Sequence, residues 1–169
     1  MEDKACVVFG GSYGGMLAAW IRMKYPQTFQ GALSASAPFL YFKDAPSAPS
    51  EEFAQICTQD FADQLEKSPA LIKEAFTLLT TATEDKWAEM SEIFATCTPI
   101  STTTDISNLY YHYMNAYLFM AMTDYPYPAN FLEPMPAWPV NEAVKSFVDI
   151  PTSEEYLQAK NTEESKWMN

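Results

Sequence analysis

The sequence contains very little histidine and little positive charge. It has 169 residues with one histidine, and 10 lysines and arginines stand against 22 aspartates and glutamates, giving a formal charge of -12. Such a chain has no basic cluster to neutralise a run of phosphates, so we expect neither a nucleic acid nor an anionic membrane surface as a partner. One histidine without a cluster of other ligands predicts no metal site, and we expect no other cofactor.

Cysteine is scarce as well. Cys6, Cys57 and Cys97 lie far apart, and no Cys-x-x-Cys pair occurs, which argues against a zinc site. Three cysteines allow at most one disulfide, and the simplest interpretation is that they are buried free thiols. No apolar run reaches the length of a transmembrane helix. The short apolar run that follows Met1 to Lys4 is not typical of a signal peptide.

The first forty residues carry the pattern of a parallel α/β unit. Ala5 to Phe9 is a short apolar run, typical of a buried strand. Met16 to Tyr25 has apolar residues at helical spacing and ends before Pro26. Ala32 to Ala37 is a second candidate strand. A strand, a glycine-rich turn, a helix and a strand in this order predict a βαβ unit.

After Phe42 the pattern becomes helical. The segment "KDAPSAPS" is rich in turn-forming residues and predicts a linker. Ser68 and Pro69 read as the N-cap and first residue of one helix. The expected helices cover 51–65, 69–82, 84–97, 105–123, 141–148 and 153–160, with a proline-rich aromatic loop at 125–139. The sequence thus predicts two parts, a partial α/β core at 1–42 and a helical domain at 43–169.

The turn between the predicted strand and helix matches the pattern G-x-S-x-G, as Gly10-Gly11-Ser12-Tyr13-Gly14. In this context the pattern is typical of the nucleophile elbow of α/β-hydrolases. Side chains two residues before and after the serine should collide with the strand or helix, which explains the glycines. We therefore predict that Ser12 is a nucleophile and that the Tyr13 N–H is an oxyanion donor.

Two other interpretations of this turn stay open. It is also compatible with an ordinary glycine turn in a parallel sheet. A phosphate-binding loop is the second alternative, but the turn has neither the G-x-G-x-x-G phase nor a Walker lysine.

Two stretches of the sequence resemble one family of serine peptidases. They are "GGSYGGMLAAWIRMKYP" with the following "GALSASAP", and the later "NAYLFMAMTDYPYPANFLEPMPAWPV". Both are similar to the family that holds lysosomal Pro-X carboxypeptidase and dipeptidyl peptidase II, and the resemblance covers about residues 5–148. It implies an α/β-hydrolase fold with a helical cap domain inserted after the nucleophile half of the sheet. It also implies a serine exopeptidase that cleaves next to proline.

The resemblance implies further roles and partners. Met16 matches a methionine that lines the proline pocket of the family, and the helical part would be the cap that limits access to short proline-containing peptides. A lysosomal or secreted location and a homodimeric full-length enzyme are further expectations. Whether the family activity here is that of a dipeptidyl peptidase or a carboxypeptidase stays open.

The stretch "TDYPYP" offers further candidates for substrate binding. Asp124 could bind a substrate amine, as a dipeptidyl peptidase needs, or it could cap or end the long helix. Tyr125, Tyr127 and Trp138 could line a proline pocket, because aromatic faces suit a proline ring, or they could pack within the cap.

The sequence departs from the family in the groups that complete a catalytic triad. The family's catalytic Asp and His follow the helical domain, and this sequence ends before them. The one histidine, His112, lies in the aromatic stretch "NLYYHYMNAYLF", where we expect an ordinary helical residue. A serine without a base is a poor nucleophile, so the isolated chain should be nearly inactive. An esterase or lipase of the same fold, and a non-catalytic binding chain, remain as alternative functions.

Overall fold

The computed structural model describes residues 4–42, 51–131, 133–155 and 157–158. These residues fall into two compact units, which divide between Glu52 and Phe53. The predicted linker at 43–50 lies outside the described residues, and the predicted boundary after Phe42 stays a prediction.

The first unit is a parallel βαβ unit, as the sequence predicts. Strands β1 and β2 pair in parallel, with Val7 opposite Gly31 and Gly11 opposite Ala35. Helix α1 begins directly after β1, three residues before the predicted start at Met16. The elements are β1 (Val7–Gly11), α1 (Tyr13–Lys24), β2 (Gly31–Ala35) and a 3₁₀ turn (Phe39–Tyr41).

Helix α1 buries one set of apolar side chains in this unit and leaves another set uncovered. Met16 and Ala18 are almost completely buried. By contrast, Phe9 on β1 is 70% exposed and Leu33 on β2 is 50% exposed. A parallel sheet is normally covered on both faces. The expectation of a buried strand at Ala5 to Phe9 is therefore wrong for the described residues, because a two-stranded sheet lacks neighbouring elements to cover these side chains.

The regular structure in the described part of the second unit is helical apart from one very short antiparallel pair of strands, in which Ala129 lies opposite Met135. Residues 153–155 and 157–158 are also helical, within the predicted last helix. The elements are α2 (Glu52–Gln64), α3 (Ser68–Thr81), a 3₁₀ turn (Glu84–Lys86), α4 (Trp87–Ile93), α5 (Thr103–Met122), β3 (Ala129–Asn130), β4 (Pro134–Met135), α6 (Pro139–Val144) and a second 3₁₀ turn (Lys145–Phe147).

Ser68 is not the N-cap of α3, so this expectation was wrong. Lys67 holds the cap position, and Pro69 still lies in the first turn. The Ser68 side chain is instead fully buried, and its hydroxyl donates a hydrogen bond to Phe61 O at 2.9 Å. The connection from α2 to α3 is so short that Ser68 bonds to a carbonyl near the end of the preceding helix.

Helix α5 begins with a capping box two residues before its predicted start. The Thr102 hydroxyl accepts a hydrogen bond from the Asp105 N–H, and an Asp105 carboxylate oxygen accepts one from the Thr102 N–H at 2.8 Å. These bonds satisfy two N–H groups that a helix terminus leaves open.

Two clusters of buried apolar side chains form the core of the second unit. Both include partly buried side chains from α5, which therefore acts as its central helix. One cluster contains Leu79, Trp87, Met90, Ile100 and Ile106, and the other contains Phe61, Val140 and Val144.

Candidate active site

Ser12 lies between β1 and α1 with no intervening loop. Its backbone has φ 55° and ψ -125°, and it is the N-cap of α1. Positive φ is uncommon for a residue with a side chain and costs conformational energy. The Ser12 hydroxyl makes no capping hydrogen bond to the helix, and the residue is exposed. The turn thus has the strained strand-to-helix geometry that the sequence predicts.

The glycines around Ser12 provide space rather than positive φ, because no described glycine has a positive φ. A Cβ on Gly10 would lie 2.0 Å from Gly14 O, so the expected collision is confirmed there. For Gly14 the expectation was wrong, since a Cβ has no atom within 4 Å beyond its chain neighbours and the nearby backbone of its own helix. The second critical glycine is Gly15, whose Cβ would lie 2.8 Å from Ala35 O.

Backbone hydrogen bonds hold the turn on both sides of Ser12. Its N–H donates to Ala35 O on β2 at 3.0 Å, and its carbonyl oxygen accepts from the Gly15 N–H at 2.9 Å. Tyr13 is the first residue of α1. The first N–H groups of a helix have no acceptor within it and carry the positive end of the helix dipole. The Tyr13 N–H is therefore suited to an anion that develops beside Ser12.

Residues 4–42, which form the βαβ unit, supply no carboxylate or imidazole as a general base. Residues 4–42 contain no aspartate, glutamate or histidine. The single histidine, His112, lies on α5 in the second unit, and its ring centroid is 5.3 Å from that of Tyr113. Residues 4–42 therefore place a serine at an elbow without the acid and base that would activate it.

Met16 is 2% exposed, so its side chain fills the core of the first unit. Its role in binding proline stays a prediction.

Asp124 follows α5 and bonds to the start of α6. Its Oδ1 atom accepts a hydrogen bond from the Val140 N–H at 3.1 Å. Val140 is completely buried. Asp124 thus supports α6, the helix that follows the loop, whereas the structural alternative weighed from the sequence was a cap or end of the long helix, whose C-cap is Thr123. Its binding of a substrate amine stays a prediction.

The aromatic residues of the loop are partly exposed. The rings of Tyr125 and Tyr127 stack with centroids 5.6 Å apart, and Tyr127 is 60% exposed. Trp138 has a left-handed backbone with φ 52°, and its N–H donates to Tyr125 O at 2.8 Å. Ring stacking and this backbone hydrogen bond therefore hold the loop that carries the three aromatic side chains. Contact between these side chains and a proline ring stays a prediction.

The carboxyl group of Asp60 interacts with the negative charge of Asp124. Burial is the largest cause that raises the pKa of Asp60, followed by the negative charges of Asp124 and Asp63. The second unit therefore holds several carboxylates near one another, which favours protonation of Asp60 at acidic pH.

The three cysteines are free thiols, but only Cys57 is buried, so the expectation of burial was wrong for Cys6 and Cys97. Cys6 precedes the first strand, and Cys97 lies in the turn between α4 and α5. Cys57 lies in an apolar cavity of about 580 Å³ that α2, α3 and α5 line. Burial, the largest cause, raises the pKa of its thiol. This favours an unreactive protonated thiol.

Within the described ranges, no group of three histidine, cysteine, aspartate or glutamate residues is placed to hold a metal ion. No helix in the same ranges is long and apolar enough to cross a membrane.

Comparison with known proteins identifies relatives of the chain. It is 39% identical over 150 residues to the lysosomal Pro-X carboxypeptidase of Bos taurus, which covers 86% of this chain and 29% of the relative. The human lysosomal Pro-X carboxypeptidase is 36% identical over 167 residues, or 95% of this chain and 32% of the relative. Prolyl carboxy peptidase like protein 5 of Caenorhabditis elegans is 38% identical over 148 residues, with 86% and 29% covered.

The chain thus spans about a third or less of the length of these relatives. The family model described as serine carboxypeptidase S28 matches residues 1–169. A match over the full length shows that the chain belongs to the serine carboxypeptidase S28 family.

Proposed function

We propose that this chain carries the nucleophile of a serine exopeptidase and that Ser12 is that nucleophile. The observation that carries the proposal is the strained, positive-φ backbone of Ser12 between a parallel strand and a helix N-terminus. Such a turn presents a hydroxyl beside free helix N–H groups. The match to the serine carboxypeptidase S28 model supports the peptidase class.

The proposed reaction is acyl transfer through Ser12. The Ser12 Oγ atom attacks the carbonyl carbon of the scissile peptide bond and loses its proton to a general base. The Tyr13 N–H donates to the oxyanion that forms. The C–N bond then breaks, the amine leaves with a proton, and water releases the acyl group from Ser12.

The base and its orienting acid must come from residues other than 4–42, because these contain no aspartate, glutamate or histidine. By family resemblance, they come from a segment that follows the helical domain. Loss of one triad member costs several orders of magnitude in rate. We therefore expect the 169-residue chain alone to be nearly inactive.

The substrate class follows from the relatives rather than from a bound ligand. Several relatives are named Pro-X carboxypeptidase, which favours removal of a C-terminal residue after proline. Dipeptidyl peptidase activity is the alternative to carboxypeptidase activity within the same family. The same names favour a lysosomal or secreted location.

A fluorophosphonate probe tests the proposal, because it forms a covalent bond with an activated serine. We expect labelling at Ser12 in the longest polypeptide of the gene that contains these residues. The Ser12→Ala variant should lose the label, whereas Ser107→Ala, which removes a serine on α5, should still fold and keep the label as a control for serine content. Absence of labelling in that polypeptide would contradict the proposal.

Two substrates separate the remaining alternatives. A peptide with proline before its C-terminal residue should be cleaved, whereas a simple aryl ester should be a poor substrate. The reverse preference would favour an esterase of the same fold. If the folded polypeptide reacts with neither substrate nor probe, a non-catalytic binding chain is favoured. The lack of a base in residues 4–42 is the observation behind that second candidate.

A further inference from the structure

The end of β2 contacts the Ser12 turn through two hydrogen bonds. The Ser12 N–H donates to Ala35 O at 3.0 Å, and the Ser34 hydroxyl donates to Gly15 O at 2.7 Å. The first bond holds Ser12, whose φ is positive, and the second holds the first turn of α1. Since Gly11 pairs with Ala35, both contacts lie at the carboxyl edge of the sheet.

Close packing reinforces the same contact. A Cβ on Gly15 would lie 2.8 Å from Ala35 O and 3.1 Å from the Cβ of Ala37. Ser36, which lies between Ala35 and Ala37, bends the chain with φ 48°. A positive φ costs a residue with a side chain about 1–3 kcal/mol. Because Ser12 and Ser36 both adopt it, surrounding contacts must offset the strain.

We propose that Ser34 is a positioning residue for the nucleophile, because its hydrogen bond to Gly15 O holds α1 against β2 and keeps Ser12 in its positive-φ conformation. This inference rests on the proposed role of Ser12. Ser34 acts through the backbone of Gly15 and Ser12. A small displacement of a reacting group costs a large factor in rate, so loss of this bond should slow acylation about tenfold.

Hydrogen exchange of the Ser12 N–H tests the inference without any need for activity. We compare Ser34→Ala, which removes the donor, with Ser34→Thr, which keeps it on a side chain that suits a strand. Exchange should be about tenfold faster in the alanine variant and within about twofold of wild type in the threonine variant. Equal exchange in the alanine variant and the wild type overturns the inference.

The turnover number per active site is the second measurement. Titration of Ser12 with the fluorophosphonate probe counts the folded active sites. We expect Ser34→Ala to lower kcat about tenfold with little change in KM, and Ser34→Thr to restore it. A structural role alone would lower the number of active sites and leave their kcat unchanged. An unchanged kcat per site therefore also overturns the inference.

Ser107→Ala is the matched control. The Ser107 hydroxyl donates to Thr103 O at 3.0 Å within α5, and its loss should change neither measurement. If Ser34→Ala does not fold, Ser34→Cys replaces it, because a thiol of similar size is only a weak donor. A wild-type polypeptide that never reacts at Ser12 contradicts the proposed function, and the exchange comparison still decides the role of Ser34.

Discussion

The Asp124 carboxylate accepts a hydrogen bond from the Val140 N–H at 3.1 Å and thereby joins the end of α5 to the first turn of α6. Asp124→Ala should therefore lower the free energy of unfolding by about 1 kcal/mol, as loss of a capping hydrogen bond does. Urea unfolding of the 169-residue chain measures this change.

Asp124→Asn separates the structural role from substrate binding. The asparagine keeps an acceptor for the Val140 N–H but loses the negative charge, so stability should stay close to wild type. If Asp124 binds a substrate amine, the asparagine variant of the active polypeptide should show a raised KM for substrates with a free N-terminus. An unchanged KM would leave Asp124 with its structural role alone.

The three glycine positions around Ser12 should respond differently to alanine. Gly10→Ala places a Cβ against the Gly14 backbone and should destabilise the turn by more than about 3 kcal/mol. Gly15→Ala should also destabilise, because Ala35 O lies in the way. Gly14→Ala adds a Cβ with no atom within 4 Å beyond its chain neighbours and its own helix backbone, and should be tolerated. Thermal unfolding ranks the three variants, and a Gly14→Ala variant as unstable as Gly10→Ala would contradict the geometry.

These glycines also show which parts of the site the sequence determines. The spacing of Gly10, Ser12 and Gly14 predicts the turn, because a strand and a helix flank it. The need for Gly15 depends on Ala35, which approaches only when β2 pairs beside β1. A local sequence pattern does not contain this contact between neighbouring strands. The pair Gly14-Gly15 is nevertheless visible in the sequence and could have indicated that Gly15 is needed.

The same limit applies to the helical unit. Apolar spacing predicts the helices well, because each helix buries one face. The prediction that Ser68 caps α3 was wrong, because its hydroxyl donates to Phe61 O on the previous helix rather than to an atom of its own helix. The bond between Asp124 and Val140 likewise joins residues 16 positions apart. Such pairings depend on how the loop folds, which composition and periodicity do not determine.

Thiol reactivity should follow the burial of the three cysteines. Cys6 and Cys97 are exposed and should react rapidly with a neutral thiol reagent at pH 8. Cys57 is buried and its pKa is raised, so it should react only after unfolding. Mass spectrometry after timed labelling counts the modified sites. Fast modification of Cys57 in the native chain would contradict its burial.

Asp60 and Asp105 should change stability with pH in opposite directions. The pKa of Asp60 is raised in the folded chain, first by burial and then by Asp124 and Asp63. Its ionisation therefore weakens the fold, and this penalty appears as the pH rises from its ordinary pKa of 3.8 through the raised value. Asp60→Asn should raise the melting temperature at pH 7 relative to wild type, and the gain should vanish below pH 3.8.

Asp105→Asn is the matched control, because its effect on the melting temperature at pH 7 should have the opposite sign to that of Asp60→Asn. The hydrogen bond from the Ser101 N–H is the largest cause that lowers the pKa of Asp105, followed by bonds from Thr102. Its ionised form therefore stabilises the fold above its ordinary pKa of 3.8, and this contribution is lost as the pH falls through the lowered value. The variant should melt lower than wild type at pH 7, and the two should converge in acid. Calorimetry at both pH values measures each difference, and shifts of the same sign in both variants would contradict the assigned electrostatics.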